Sequence, residues 1–111
     1  MKRIKARFYR LSSGAEPVRD WLLGFSKKDR KKIGTDIAVA EYGWPVGLPV
    51  CRPLGNGIYE IRSNISGERT IRVLFAINDD EMILLHGFIK KTQKTPKGEL
   101  DLARERKAKL K

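Results

Sequence analysis

The chain has 111 residues, 41% of them apolar, which fits one compact domain with a modest core. Lys and Arg number 24 against 13 acids, a net charge of +11 that favours a polyanionic partner, nucleic acid ahead of an anionic membrane. No apolar run is long enough to span a bilayer, no h-region follows the basic start, and a single cysteine excludes an internal disulfide or a cysteine-rich metal site, so a soluble cytoplasmic protein is expected.

In chain order, Ile4, Ala6 and Phe8 alternate with Lys5, Arg7 and Tyr9, the period of a half-buried strand. Ser12-Ser13-Gly14 breaks it. Pro17 suits a first helical turn, and Val18, Trp21, Leu22 and Phe25 follow at helical spacing. Ser26 and Asp29 resemble a capping box that starts a second helix, with Ile33, Ile37 and Ala40 on one face and Gly43 at its end. Two helices joined so closely read as a helical hairpin.

Residues 42–57 hold Pro45, Pro49, Pro53 and four glycines, which predicts an irregular connection pinned by Trp44, Leu48 and Leu54. Three strands are expected next, over residues 58–62, 69–77 and 82–89, with turns at 64–67 and 78–80. Turns this short impose antiparallel pairing. Pro96 opens a last helix reaching about Leu110, weakly amphipathic through Leu100, Ala103 and Leu110. The expected fold is a single α+β domain over residues 1–111 in the order β-α-α-β-β-β-α. Its antiparallel sheet carries the helical hairpin on one face and ends in a C-terminal helix.

Strand alternation sorts the candidate site residues. Tyr59 and Ile61 share one side, Glu60 and Arg62 the other; Ile71, Val73, Phe75 and Ile77 oppose Thr70, Arg72, Leu74 and Ala76. With the apolar set under the helices, Arg62 and Arg72 are expected to point together from the uncovered face. There two guanidinium forks suit a phosphate. The competing reading is a solvated face on which Glu60 pairs with one arginine. Between Met82 and Gly98 there is no acid, and His86 and Phe88 share a side with Lys90, followed by Lys91, Lys94 and Lys97. An aromatic beside cations suits base stacking with phosphate clamps, although a lysine run alone is more often a solvated surface. RNA cleavage by the neighbouring 2′-hydroxyl needs a proton acceptor, a donor and stabilisation of the phosphorane. His86, a lysine whose pKa is lowered by crowding, and the arginines would supply these without a metal or cofactor. Asp79, Asp80 and Glu81 lack matching histidines and read as turn residues.

The segments Gly57-Ile58-Tyr59-Glu60-Ile61-Arg62 and Arg69-Thr70-Ile71-Arg72-Val73-Leu74-Phe75 resemble strand signatures of the RelE/ParE toxin superfamily. His86-Gly87-Phe88-Ile89-Lys90-Lys91-Thr92-Gln93-Lys94-Thr95-Pro96 resembles the C-terminal motif of its phage-derived, HigB-like branch. The resemblance implies a type II toxin that cuts mRNA on the ribosome, partnered by a helix-turn-helix antitoxin. By motif position it implies catalytic roles for Arg62, Arg72, Lys90 and Lys91, with His86 either taking over acid–base work or packing under the C-terminal helix; the residue pattern itself adds RNA contacts from Arg69, Phe88, Lys94 and Lys97. Two departures stand out: Glu60 occupies a position where RelE has a lysine, and no tyrosine follows Tyr59. A gyrase-inhibiting toxin of the ParE type and a non-catalytic RNA-binding module are the alternatives.

Overall fold

The computed structural model describes residues 4–45, 51–91 and 94–110. The predicted contributions of Leu48 and Pro49 to the connecting loop lie outside the described residues, as do Thr92 and Gln93. The elements are β1 (Lys5–Phe8), α1 (Pro17–Leu22), α2 (Lys27–Gly43), β2 (Cys51–Gly55), β3 (Ile58–Ile65), β4 (Arg69–Asn78), β5 (Glu81–Ile89) and α3 (Lys97–Ala108). They build an α+β domain around one five-stranded mixed sheet in the order β1-β5-β4-β3-β2.

Local signals account for most boundaries. Pro17 opens α1, which is short; Phe25 lies beyond it in a turn where its N–H donates to the carbonyl of Leu22. Ser26 caps α2, its hydroxyl accepting from the N–H of Asp29 at 3.1 Å. The Asp29 carboxylate also reaches the β3–β4 turn, where it accepts from the N–H and hydroxyl of Ser66. Gly43 is the last residue of α2. The turn between β3 and β4 places Gly67 and Glu68 at positive φ, and the turn between β4 and β5 does the same with Asp79.

Two expectations about the sheet are corrected. First, residues 51–55 form a strand rather than irregular chain, pairing antiparallel with β3 from Cys51↔Ile61 to Gly55↔Ile58. Pro53 is tolerated because β2 is an edge strand, where a missing N–H need not break a second ladder. Second, the sheet is mixed: β1 pairs parallel with β5, from Lys5↔Glu81 to Phe8↔Leu84. Helices separate β1 from the four-stranded meander, so no tight turn imposes antiparallel pairing on it.

The expectation of an uncovered face is also overturned. Val18 of α1 and Ile33, Ile37 and Ala40 of α2 pack with Ile61, Ile71, Val73, Phe75, Met82 and Leu84 on one side of the sheet. Trp44 joins that core, its ring edge-on to Tyr59 and Phe75 at 4.9 and 5.4 Å. On the other side, α3 lays Leu100 and Ala103 over Leu74, Ala76, Ile83, Leu85 and Phe88. Those outward-facing apolar residues of β4 and β5 need cover, and α3 supplies it. The sheet is therefore layered between helices, and Arg62 of β3 and Arg72 of β4 lie on the α3 side.

Candidate functional site

Arg62 and Arg72 are direct cross-strand partners, as alternation predicts. They do not share an environment. Arg62 is half-buried, whereas Arg72 is only 1% exposed and sits against Glu60, itself fully buried. Arg72 Nη1 lies 3.3 Å from Glu60 Oε2. The Thr95 hydroxyl ties the two, accepting from Arg72 Nη1 at 3.1 Å and donating to Glu60 Oε2 at 3.2 Å. Arg52 of β2 approaches the second carboxylate oxygen, with Nε 3.8 Å from Glu60 Oε1. The expectation of two solvent-facing arginines gripping one phosphate is thus corrected for Arg72: α3 and the segment before it close over its end of the strand.

Lys90 completes the cluster. Its backbone N–H donates to the carbonyl of Thr70 at 2.7 Å, holding the end of β5 beside β4. Burial, followed by the charges of Arg62 and Arg72, pushes its ammonium below the ordinary lysine range, with Glu60 opposing. Burial also lowers the Arg72 pKa, again against the pull of Glu60. One carboxylate therefore offsets the charges of Arg52, Arg72 and Lys90, Arg62 adds a further cation beside Arg72 and Lys90, and Arg52, Arg62 and Lys90 retain access to solvent. Such an arrangement attracts a phosphate and stabilises charge that builds on it.

A second group lies next to the first, across Phe88. Phe88 is the cross-strand partner of Arg72 and stacks on His86 at 5.9 Å and 25°. It is 8% exposed beneath α3, so it supports its neighbours rather than offering the open stacking platform expected of it. A register shift opposite Leu74 and Phe75 re-aims β5 at this point, as bulges near functional sites do. The carbonyl of Leu85, at the irregularity, accepts from Arg106 Nη1 at 2.8 Å. His86 then meets Glu99 of α3, with Nε2 3.1 Å from Oε1. Trp21 of α1 lies on Gly87, where an added Cβ would come within 2.2 Å of the indole ring. Together with exposed Lys91, the residues Trp21, His86, Gly87, Phe88 and Glu99 bound an open cleft of about 560 Å³.

The remaining candidates are dispersed. Lys94 and Lys97 are exposed at the approach to α3. Arg69 is on the opposite side of the sheet, 2.9 Å from Asp29 Oδ2 and over the ring of Phe25. Asp29 also accepts from the N–H and hydroxyl of Ser66, which hold its carboxyl below the ordinary range. Arg69 is accordingly a brace between α2 and the β3–β4 turn, remote from the cationic cluster. Sequence reasoning passed over Arg52, Thr95, Trp21 and Glu99. Among the described residues, no three His, Cys, Asp or Glu side chains gather where they could hold a metal, and no helix is long and apolar enough to cross a membrane.

The fold and site define a small basic α+β domain with a cationic cluster at one end of its sheet and an aromatic cleft beside it. The chain belongs to the family of phage derived proteins described as Gp49-like (DUF891), whose profile matches residues 20–108. That is a toxin-like family of toxin–antitoxin systems, which implies a cognate antitoxin as partner. No curated protein matches the chain significantly.

Proposed function

We propose that this protein is the toxin of a type II toxin–antitoxin system, of the HigB-like branch of the RelE/ParE superfamily, and acts as a ribosome-dependent, metal-independent mRNA endonuclease. The observation that carries this reading is the convergence of Arg62 and Lys90 over the Arg72–Glu60 pair, which concentrates positive charge at a solvent-accessible point on a protein of net charge +11. Arg62 and Lys90 engage the scissile phosphate, and Arg52 extends the contact along the backbone. A lysine with a lowered pKa is suited to exchanging a proton with the 2′-hydroxyl or the leaving oxygen. Arg72 acts from the interior, fixing Glu60 and with it the geometry of the cluster. His86, held by Glu99, and Lys91 serve the neighbouring nucleotide.

The ribosome supplies alignment of the message, which is worth many orders of magnitude in effective concentration and relieves the toxin of building a full catalytic constellation. The partner is a helix-turn-helix antitoxin that either contacts the basic surface or blocks entry to the ribosome. Primer extension on message from a translating extract tests the reading: cuts at codon-spaced positions, abolished by Arg62→Ala, are expected. Intact message at concentrations that arrest growth refutes it, and arrest with inhibited supercoiling instead would assign the fold to gyrase poisoning.

A further inference from the structure

Among the described residues, one side chain, Trp21, borders three neighbouring clefts. Trp21 lines the 560 Å³ cleft with His86, Phe88, Lys91, Pro96 and Glu99. It also lines one of about 520 Å³ toward Asp29 and Arg69, and a smaller one of about 160 Å³ toward Arg106. The indole is anchored on the Gly87 backbone and braced by Phe25, edge-on at 5.0 Å, yet stays half-buried. A rigid aromatic with an accessible face is a surface on which a planar group can stack. The 560 Å³ cleft falls in the roughly 300–1,000 Å³ range of small-molecule sites.

Its walls specify the ligand. Trp21 gives an apolar wall; the His86–Glu99 pair gives a polar edge able to exchange hydrogen bonds; Lys91 gives a cation at the mouth. Lys90, one residue earlier, belongs to the cationic cluster on the other side of Phe88. A chain of alternating phosphates and planar rings would meet cation, aromatic wall and polar edge in the order that a single-stranded nucleic acid presents them.

We infer that the cleft between α1 and the start of α3 is a nucleobase subsite, in which a base next to the phosphate held at Arg62 and Lys90 unstacks and packs on Trp21 with its edge toward His86 and Glu99. This deepens the proposed nuclease function and rests on it for the identity of the nucleic acid. It also assigns the stacking role to Trp21, which the strand motifs do not contain, rather than to the covered Phe88.

The test uses short ribonucleotides methylated at every 2′-oxygen, which removes the nucleophile and leaves them uncut. One oligomer is complete and its twin lacks a single base. Trp44→Phe leaves Trp21 as the sole indole of the two in the chain, so fluorescence reports the cleft. The complete oligomer should bind about 5- to 150-fold more tightly than its twin, the range expected for one stacked base, and should quench Trp21. Both should share the same salt dependence, since their phosphates are equal in number. Should Trp44→Phe not fold, the indole N–H resonances of the wild-type protein carry the same readout, with Trp44, packed on Tyr59 and Phe75, as internal reference. Equal affinities, or an unmoved Trp21 signal up to millimolar oligomer, overturn the subsite. Message cleavage in the translating extract is scored separately, so base-selective binding without cleavage would refute the nuclease and leave the subsite standing.

Discussion

Arg72 separates a structural role from a catalytic one, and its removal has a calculable effect. With Arg72 1% exposed and Glu60 fully buried, Arg72→Ala leaves the carboxylate without its nearest cation, the Thr95 hydroxyl as its hydrogen-bond donor, and Arg52 at 3.8 Å and the charge of Lys90 as weaker compensation. Breaking a buried pair from one side costs about 3–5 kcal/mol, because the surviving charge has lost its compensation. Against a total of roughly 5–15 kcal/mol for a domain, that is a large share. At about 4 °C per kcal/mol for a chain of this size, Tm should fall by roughly 12–20 °C. Glu60→Gln should fall in the same direction. Replacing both together, as Glu60→Leu with Arg72→Met, substitutes apolar volume for the pair and should recover much of the loss. Urea and thermal unfolding followed by circular dichroism would measure the double-mutant cycle, with a coupling of about 2 kcal/mol or more. Single variants within about 0.5 kcal/mol of wild type, or an Arg72→Ala protein of full stability that no longer cleaves message, would refute the interior placement.

Gly87→Ala drives a methyl into the Trp21 ring and should cost about 1–3 kcal/mol or more, read by urea unfolding; adding Trp21→Leu should restore part of it. Asp29→Asn should destabilise at neutral pH. Because the folded carboxyl titrates below the ordinary 3.8, its contribution is present above that value and lost as pH falls through the depressed one, so the gap to wild type, followed by urea unfolding across pH, should close in acid. Lys90→Met should do the reverse. Its ammonium is disfavoured in the fold, so removing it should stabilise at neutral pH, an advantage that fades as pH rises through the depressed folded value and is gone by the ordinary 10.5 in the same denaturation series, while primer extension shows reduced cleavage.

Periodicity made much of this fold legible. Ile33, Ile37 and Ala40 mark the buried stripe of α2, Ser26 its cap, and alternation along β3 and β4 places Glu60, Arg62 and Arg72 on one face. What escaped depends on residues distant in the chain. Density of proline and glycine hid β2, and Arg52 with it. The short stripe of Leu100 and Ala103 gave little sign that α3 would cover the second face, and so none that Arg72 would be buried while its partner Arg62 kept solvent. His86 meets Glu99 only because β5 shifts register beside Leu85, an irregularity that alternation by its nature does not announce.

The two rims of the sheet bear on how the molecule keeps to itself. On one, Pro53 removes a donor in the middle of β2, and the shift between Pro53 and Gly55 bends the rim away from straight pairing. On the other, β1 is only four residues long and turns Lys5 and Arg7 to solvent. Short, charged or proline-bearing rims resist strand addition by a neighbouring copy. A protein whose charge already repels its own kind thus also withholds the backbone template for edge-to-edge aggregation, leaving its side-chain surfaces as the means of meeting other molecules.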